Sequence, residues 1–202
     1  FLLLFSFIKV NAQVSAVDSI RINSYAIKSQ DFMHTDMDSA LFYAAKSHTF
    51  AKETKSNYLI CRATLMLGII NQDLGEYKKA TMYFKEGITL AEKGTNKQLL
   101  AQAYNGFANM FALQEQFTQA AEYFNKALAI CKEVHDTAKV AVMLMNLANI
   151  EYHDSYKSNN YTKTNLAYAE AYKWAVLAKD TGQQITCMGN WGLSYSDESK
   201  FE

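Results

Sequence analysis

The residues best equipped for chemistry are three cysteines, Cys61, Cys131 and Cys187, and four histidines, His34, His48, His135 and His153. Their spacing does not serve it. A structural zinc site needs closely spaced pairs such as Cys-x-x-Cys or His-x-x-x-His, and neither occurs in the chain. Nucleophilic catalysis would announce itself by a local signature such as Gly-x-Ser-x-Gly, and phosphate binding by a glycine-rich loop; both are missing. The cysteines lie far apart within predicted helices, so buried single thiols are expected, the odd count leaving at least one unpaired in any case. The histidines fall at helix ends, in turns or, for His48, on a helix surface, where solvation is expected. His135, with Glu133 and Asp136 beside it, reads as a polar turn. No catalytic residue, metal or cofactor is expected in this segment.

The chain is organised instead by spacing of large and small apolar residues. Between Ala101 and Val134, Tyr104, Phe107, Ala108 and Phe111 recur at intervals of three and four, as do Ala120, Phe124 and Ala127. Such intervals put each set on one helical face, so the stretch predicts two amphipathic helices divided near Leu113 to Phe117. Small residues let the two backbones approach while Phe107, Phe117 and Phe124 fill the space around them. A lone hairpin cannot bury both faces and requires neighbours. The pattern returns 40 residues upstream as Leu67, Gly68, Tyr77, Ala80, Phe84, Gly87 and Leu90, then weakly around Ala40 and Ala44, and downstream as Leu144, Leu147 and Ala148. Ala40, Ala80, Ala120 and, after an insertion, Ala167 are read as one repeated position. Repeats are expected at about 21–54, 61–94, 101–134 and 141–180, with a truncated one at 185–202 that supplies a first helix without its partner.

This pattern resembles the tetratricopeptide repeat family, on Leu67-Gly68, Gly75, Tyr77, Ala80 and Phe84 and again on Tyr104, Ala108, Phe111, Ala120, Phe124 and Ala127. The resemblance implies an all-α fold, a right-handed α-solenoid of helical hairpins over residues 13–202. Two departures stand out: Glu92, Lys132 and Lys179 replace the proline that commonly closes the second helix, and the period is 40 rather than about 34. Longer hairpins follow, of the type this family uses in bacterial signalling proteins. In the first repeat Val17 to Met33 is expected to turn Ile20, Tyr25, Ile27 and Phe32 inward, and Lys28 takes the place of Gly68 and Ala108. Asp36 or Asp38 should cap the second helix. Gly94 should end a helix in the left-handed conformation. Tyr152 to Tyr161 reads as an enlarged loop, and Trp174 falls where Gly87 and Ala127 would sit.

Resemblance also implies a function. First helices of this family line a concave groove, and the matching positions hold Tyr25, Ser29 and Phe32; Arg62, Leu65, Ile69 and Gln72; Gln102, Asn105 and Asn109; then Met145, Asn149 and Tyr152. Asparagine carries both a donor and an acceptor, so Asn105, Asn109 and Asn149 could hold the backbone of a bound segment, or bond one another between adjacent helices. Members that grip a terminal carboxylate use lysines at positions that here are Leu65, Gln102, Asn105 and Asn146, so that activity is not expected. The tyrosines Tyr152, Tyr156 and Tyr161 offer a second contact surface.

Twenty basic residues balance twenty acidic ones, which favours neither nucleic acid nor an anionic membrane as a partner of this segment. The opening run Phe1-Leu-Leu-Leu-Phe-Ser-Phe-Ile8, followed by Val10 and Ala12, reads as the remnant of a signal peptide over 1–12, cut between Ala12 and Gln13. It is too short to cross a bilayer, and no cysteine follows for a lipid anchor. The expected protein is therefore not an enzyme in this segment. It is an exported, periplasmic or extracytoplasmic scaffold for a protein or peptide, the sensor segment of a larger histidine kinase or helix-turn-helix regulator whose membrane tether lies outside it. A free-standing periplasmic or secreted adaptor, an enzyme with its catalytic domain downstream, and a cytoplasmic peptide receptor are the alternatives.

Overall fold

A computed structural model of the chain describes residues 15–199, all of whose regular structure is helical: α1 (Ala16–Phe32), α2 (Met37–Glu53), α3 (Asn57–Asp73), α4 (Tyr77–Glu92), α5 (Lys97–Leu113), α6 (Phe117–Glu133), α7 (Thr137–Ser158), α8 (Thr162–Leu177) and α9 (Thr181–Glu198). The expected signal-peptide remnant and its cut lie outside the described residues, as does Phe201. Helices pair as hairpins, α1 with α2 through α7 with α8, and each second helix packs on the following first helix. The result is an α-solenoid. First helices start at capping side chains: Ser15, Ser56, Asn96, Asp136 and Asp180 each accept a hydrogen bond from a backbone N–H in the first turn. Of the two candidates for α2, Asp36 is the cap. Glu76, Gln116 and Tyr161, which open α4, α6 and α8, make no such bond.

The second helices share one buried stripe. Ala40, Ala44, Ser47 and Ala51 on α2 match Ala80, Phe84, Gly87 and Ala91 on α4, Ala120, Phe124, Ala127 and Cys131 on α6, and Thr164, Tyr168, Ala171 and Ala175 on α8. The fourth repeat thus corrects the expected register, because Thr164 and not Ala167 continues the Ala40, Ala80, Ala120 series. Ala171 takes the Gly87 position, and Trp174 lies half-buried beside it. At the centre, Phe84 wedges between neighbouring first helices. A Cβ added at Gly68 would stand 2.9 Å from the ring, and one at Gly106 2.2 Å. Around it Leu65, Leu99, Phe107 and Met110 close one core, while Phe124, Leu128, Val140 and Met143 close the next.

Other expectations need correction. The stripe that α1 buries is Ile22, Ala26 and Ser29; Ile20 and Ile27 are 69% and 57% exposed, and Lys28 is exposed too, so the first repeat is offset from the frame of the others. Gly94 is not left-handed. That conformation belongs to Gly75 and, among non-glycines, to Lys55, Glu115, His135, Asn159 and Lys179. The stretch from Tyr152 is not an enlarged loop, because α7 runs on to Ser158 for 22 residues and stops at left-handed Asn159. Polar contacts hold this extension: Ser155 is buried with its hydroxyl 2.7 Å from that of Thr164, and His153 packs its ring 4.1 Å from Phe117. Hydrophobic periodicity carries no trace of either.

Candidate functional groove

Curvature places the site. α1 touches α3, α3 touches α5 and α7 touches α9, whereas second helices make no comparable contact with one another, so the first helices line the inner face. Polar side chains join successive first helices along it. Arg62 donates to Asn23 at 3.1 Å, linking α3 to α1. Asn146 donates to Asn105 at 3.3 Å, linking α7 to α5. Asn149 accepts from Asn190 of α9 at 3.1 Å and from the Tyr168 hydroxyl at 2.8 Å. Tyr152 donates to the Asp197 carboxylate, which pushes the Tyr152 hydroxyl up to about 12.

The residues named from sequence therefore divide. Gln102 is exposed on the inner face, and Asn109, half-buried, makes no side-chain hydrogen bond among the described residues. Asn105 and Asn149 bond between helices, and Tyr152 does the same through Asp197. Asn105 and Met145 occupy the slot that in α3 is Leu65, which is 1% exposed and packs against Gly87; this slot faces a seam rather than the groove. The groove residue is the next one, Met66 or Asn146. Ser29 is likewise no groove residue, being fully buried and donating to the Ala40 carbonyl, while Tyr25 and Phe32 stack on Tyr43. Taking the next residue at this slot alone, with Arg62, Ile69 and Gln102 kept, would have found Met66 and Asn146. Gln30 and Met33 were hidden by the offset of α1.

Between α1, α3 and α5 the inner face deepens to a cavity of about 250 Å³, lined by Gln30, Met33, Arg62, Met66, Ile69 and Gln102. Thioether and isoleucine surface forms its apolar part, and two amides and a guanidinium its edge. Elsewhere the chemistry is quiet. All three cysteines are free and buried, and burial pushes the Cys61 thiol up to about 11, where almost no thiolate exists at neutral pH. His48 is not solvated as expected: it is half-buried, its Nε2 lacks a hydrogen-bond partner and desolvation lowers its pKa. Among the described residues no group of three or more His, Cys, Asp or Glu side chains could hold a metal, and no helix is long and apolar enough to cross a membrane.

Residues 59–133, from α3 to the end of α6, match the tetratricopeptide repeat family. Over that span the chain carries tetratricopeptide repeats. Solved structures share the fold of this tetratricopeptide repeat solenoid at low identity. Aspartyl phosphate phosphatase F from Bacillus subtilis is 18% identical with a TM-score of 0.73, over 87% of this chain and 45% of its own. A Rap protein complexed with competence and sporulation factor is 15% identical with a TM-score of 0.71, over 90% and 55%. A signal transduction ATPase with a tetratricopeptide repeat sensor from Pyrococcus horikoshii is 19% identical with a TM-score of 0.57, over 89% and 31%. The solenoid thus spans about half or less of the length of these proteins. No curated protein matches it in sequence.

Proposed function

We propose that the solenoid binds a protein or peptide segment along its inner face, and that it does so as the exported input segment of a larger bacterial signalling protein. The observation that carries the binding reading is the cavity between α1, α3 and α5, continued along the groove by the uncommitted amides of Gln102 and Asn109. Amide side chains suit the backbone of an extended segment, which presents a donor and an acceptor at every residue. Two structural neighbours support the wider role, one complexed with competence and sporulation factor and one with such repeats as a sensor.

Replacing Gln102 and Asn109 by alanine together removes groove amides without breaking an interhelical bond. Retention of synthetic ten-residue peptides on the immobilised chain should fall several-fold while helical content and urea midpoint hold; unchanged retention would move binding off the inner face. Export is supported by the apolar run Phe1–Ile8 with Val10 and Ala12 behind it. Expressed with its natural leader in a bacterium, the protein should be recovered outside the cytoplasm beginning at Gln13. Recovery in the cytoplasm with residues 1–12 intact would favour the intracellular receptor.

A further inference from the structure

One cationic side chain, Arg62, lines the cavity. α3 holds only one charged residue besides Arg62, namely Asp73 at its far end, and α5 holds only Lys97, at its first position and paired with Glu133. α1 adds Asp18 and Asp31, yet among the described residues no carboxylate is bonded to Arg62. One of its nitrogens donates to Asn23 and its guanidinium carbon lies 5.7 Å from the centre of the Tyr58 ring, so the side chain is held in place while further N–H donors stay available. A positioned guanidinium recognises carboxylate in a planar, two-point geometry that a neutral amide cannot replace.

The second feature is adjacent. Met66 follows Arg62 by one helical turn, about 6 Å along the axis, and with Met33 and Ile69 it supplies the apolar wall of the cavity. At about 250 Å³ the cavity lies below the roughly 300–1,000 Å³ of sites for drug-sized molecules and suits a single large side chain. In an extended peptide, side chains two residues apart point the same way about 6.7 Å from each other, close to the rise from Arg62 to Met66. Resting on the groove reading above, we infer that this subsite takes an extended peptide in which an acidic side chain and a large apolar one are separated by a single residue, the carboxylate on Arg62 and the apolar group beside Met33, Met66 and Ile69. The inner face continues past the cavity on to α5 and α7, so the segment runs through it, and the carboxylate comes from a side chain rather than a chain terminus.

The test is an array of ten-residue peptides, acetylated and amidated so that no terminal charge remains, varying the two positions independently and probed with the 202-residue chain. Peptides with Asp or Glu two residues from Leu, Met or Phe should bind best. Arg62→Gln, which keeps a donor for Asn23, should weaken them about tenfold, and Arg62→Glu should transfer the preference to lysine in place of the acid. Circular dichroism confirms that each variant is folded. Binding that ignores the acidic residue, survives Arg62→Gln, or appears only when the C-terminal carboxylate is left free overturns the inference. Peptides lost on the Gln102 and Asn109 double substitution but indifferent to Arg62 would sink it alone, leaving the groove reading in place; an array with no binders sinks both.

Discussion

Phe84 sets the tightest constraint on any single side chain. Its ring occupies the notch that Gly68 and Gly106 leave open on the two flanking first helices, and it is 1% exposed. Gly106→Ala would place a methyl 2.2 Å from the ring and force a rotamer or helix shift. Overpacking of this kind costs about 1–3 kcal/mol, which outweighs the ~1 kcal/mol that alanine contributes over glycine in a helix interior. Urea unfolding should therefore show a net loss; a gain in stability would mean that the ring moves freely. Gly68 was legible from the Leu-Gly pair of the repeat pattern, because small residues recur there. Gly106 was not, since the repeats on either side put Met66 and Asn146 at that position and no repeated smallness marks it.

At the level of the helix, the chain divides between elements built on apolar spacing and elements built on polar pairing. α3 to α6 belong to the first kind, and their positions could be read from alanines, glycines and phenylalanines alone. α7 and α8 belong to the second. Ser155 and Thr164 are buried in their contact and Tyr168 reaches Asn149, while on the side of α9 the Asn165 amide donates to Glu198 at 2.9 Å and its oxygen accepts from Ser194. Residues that look like loop from their polarity are core from their partners, which is why the end of α7 was read as an insertion and the register of α8 slipped. Ser155→Ala leaves the Thr164 hydroxyl buried without a partner and should cost about 1–3 kcal/mol, whereas Ser155→Ala with Thr164→Val removes both hydroxyls and should cost far less. Equal losses in thermal denaturation would show that the pair is exposed to water instead.

Across the whole molecule, four hairpins and a ninth helix curve so that the first helices meet and the second helices spread, giving one inner and one outer wall. The family resemblance implied a set of inner-wall positions, and of that set Arg62, Ile69 and Gln102 line the cavity between α1, α3 and α5. Of the two roles open to the asparagines, the interhelical one is taken by Asn105 with Asn146 and by Asn149 with Asn190, whereas nothing in the spacing marks the bond of Tyr152 to Asp197. Nor could it reveal the cavity, which needs the C-terminal end of α1 to stand beside the middle of α3.

Photocross-linking from the two walls tells which of them holds the peptide. A benzophenone side chain at Asn109 probes the inner face, and one at Met82, which is 70% exposed on a second helix, probes the outer. Peptides retained by the chain should cross-link from position 109 and not from position 82. Cross-links from position 82 alone would contradict the groove as the binding surface.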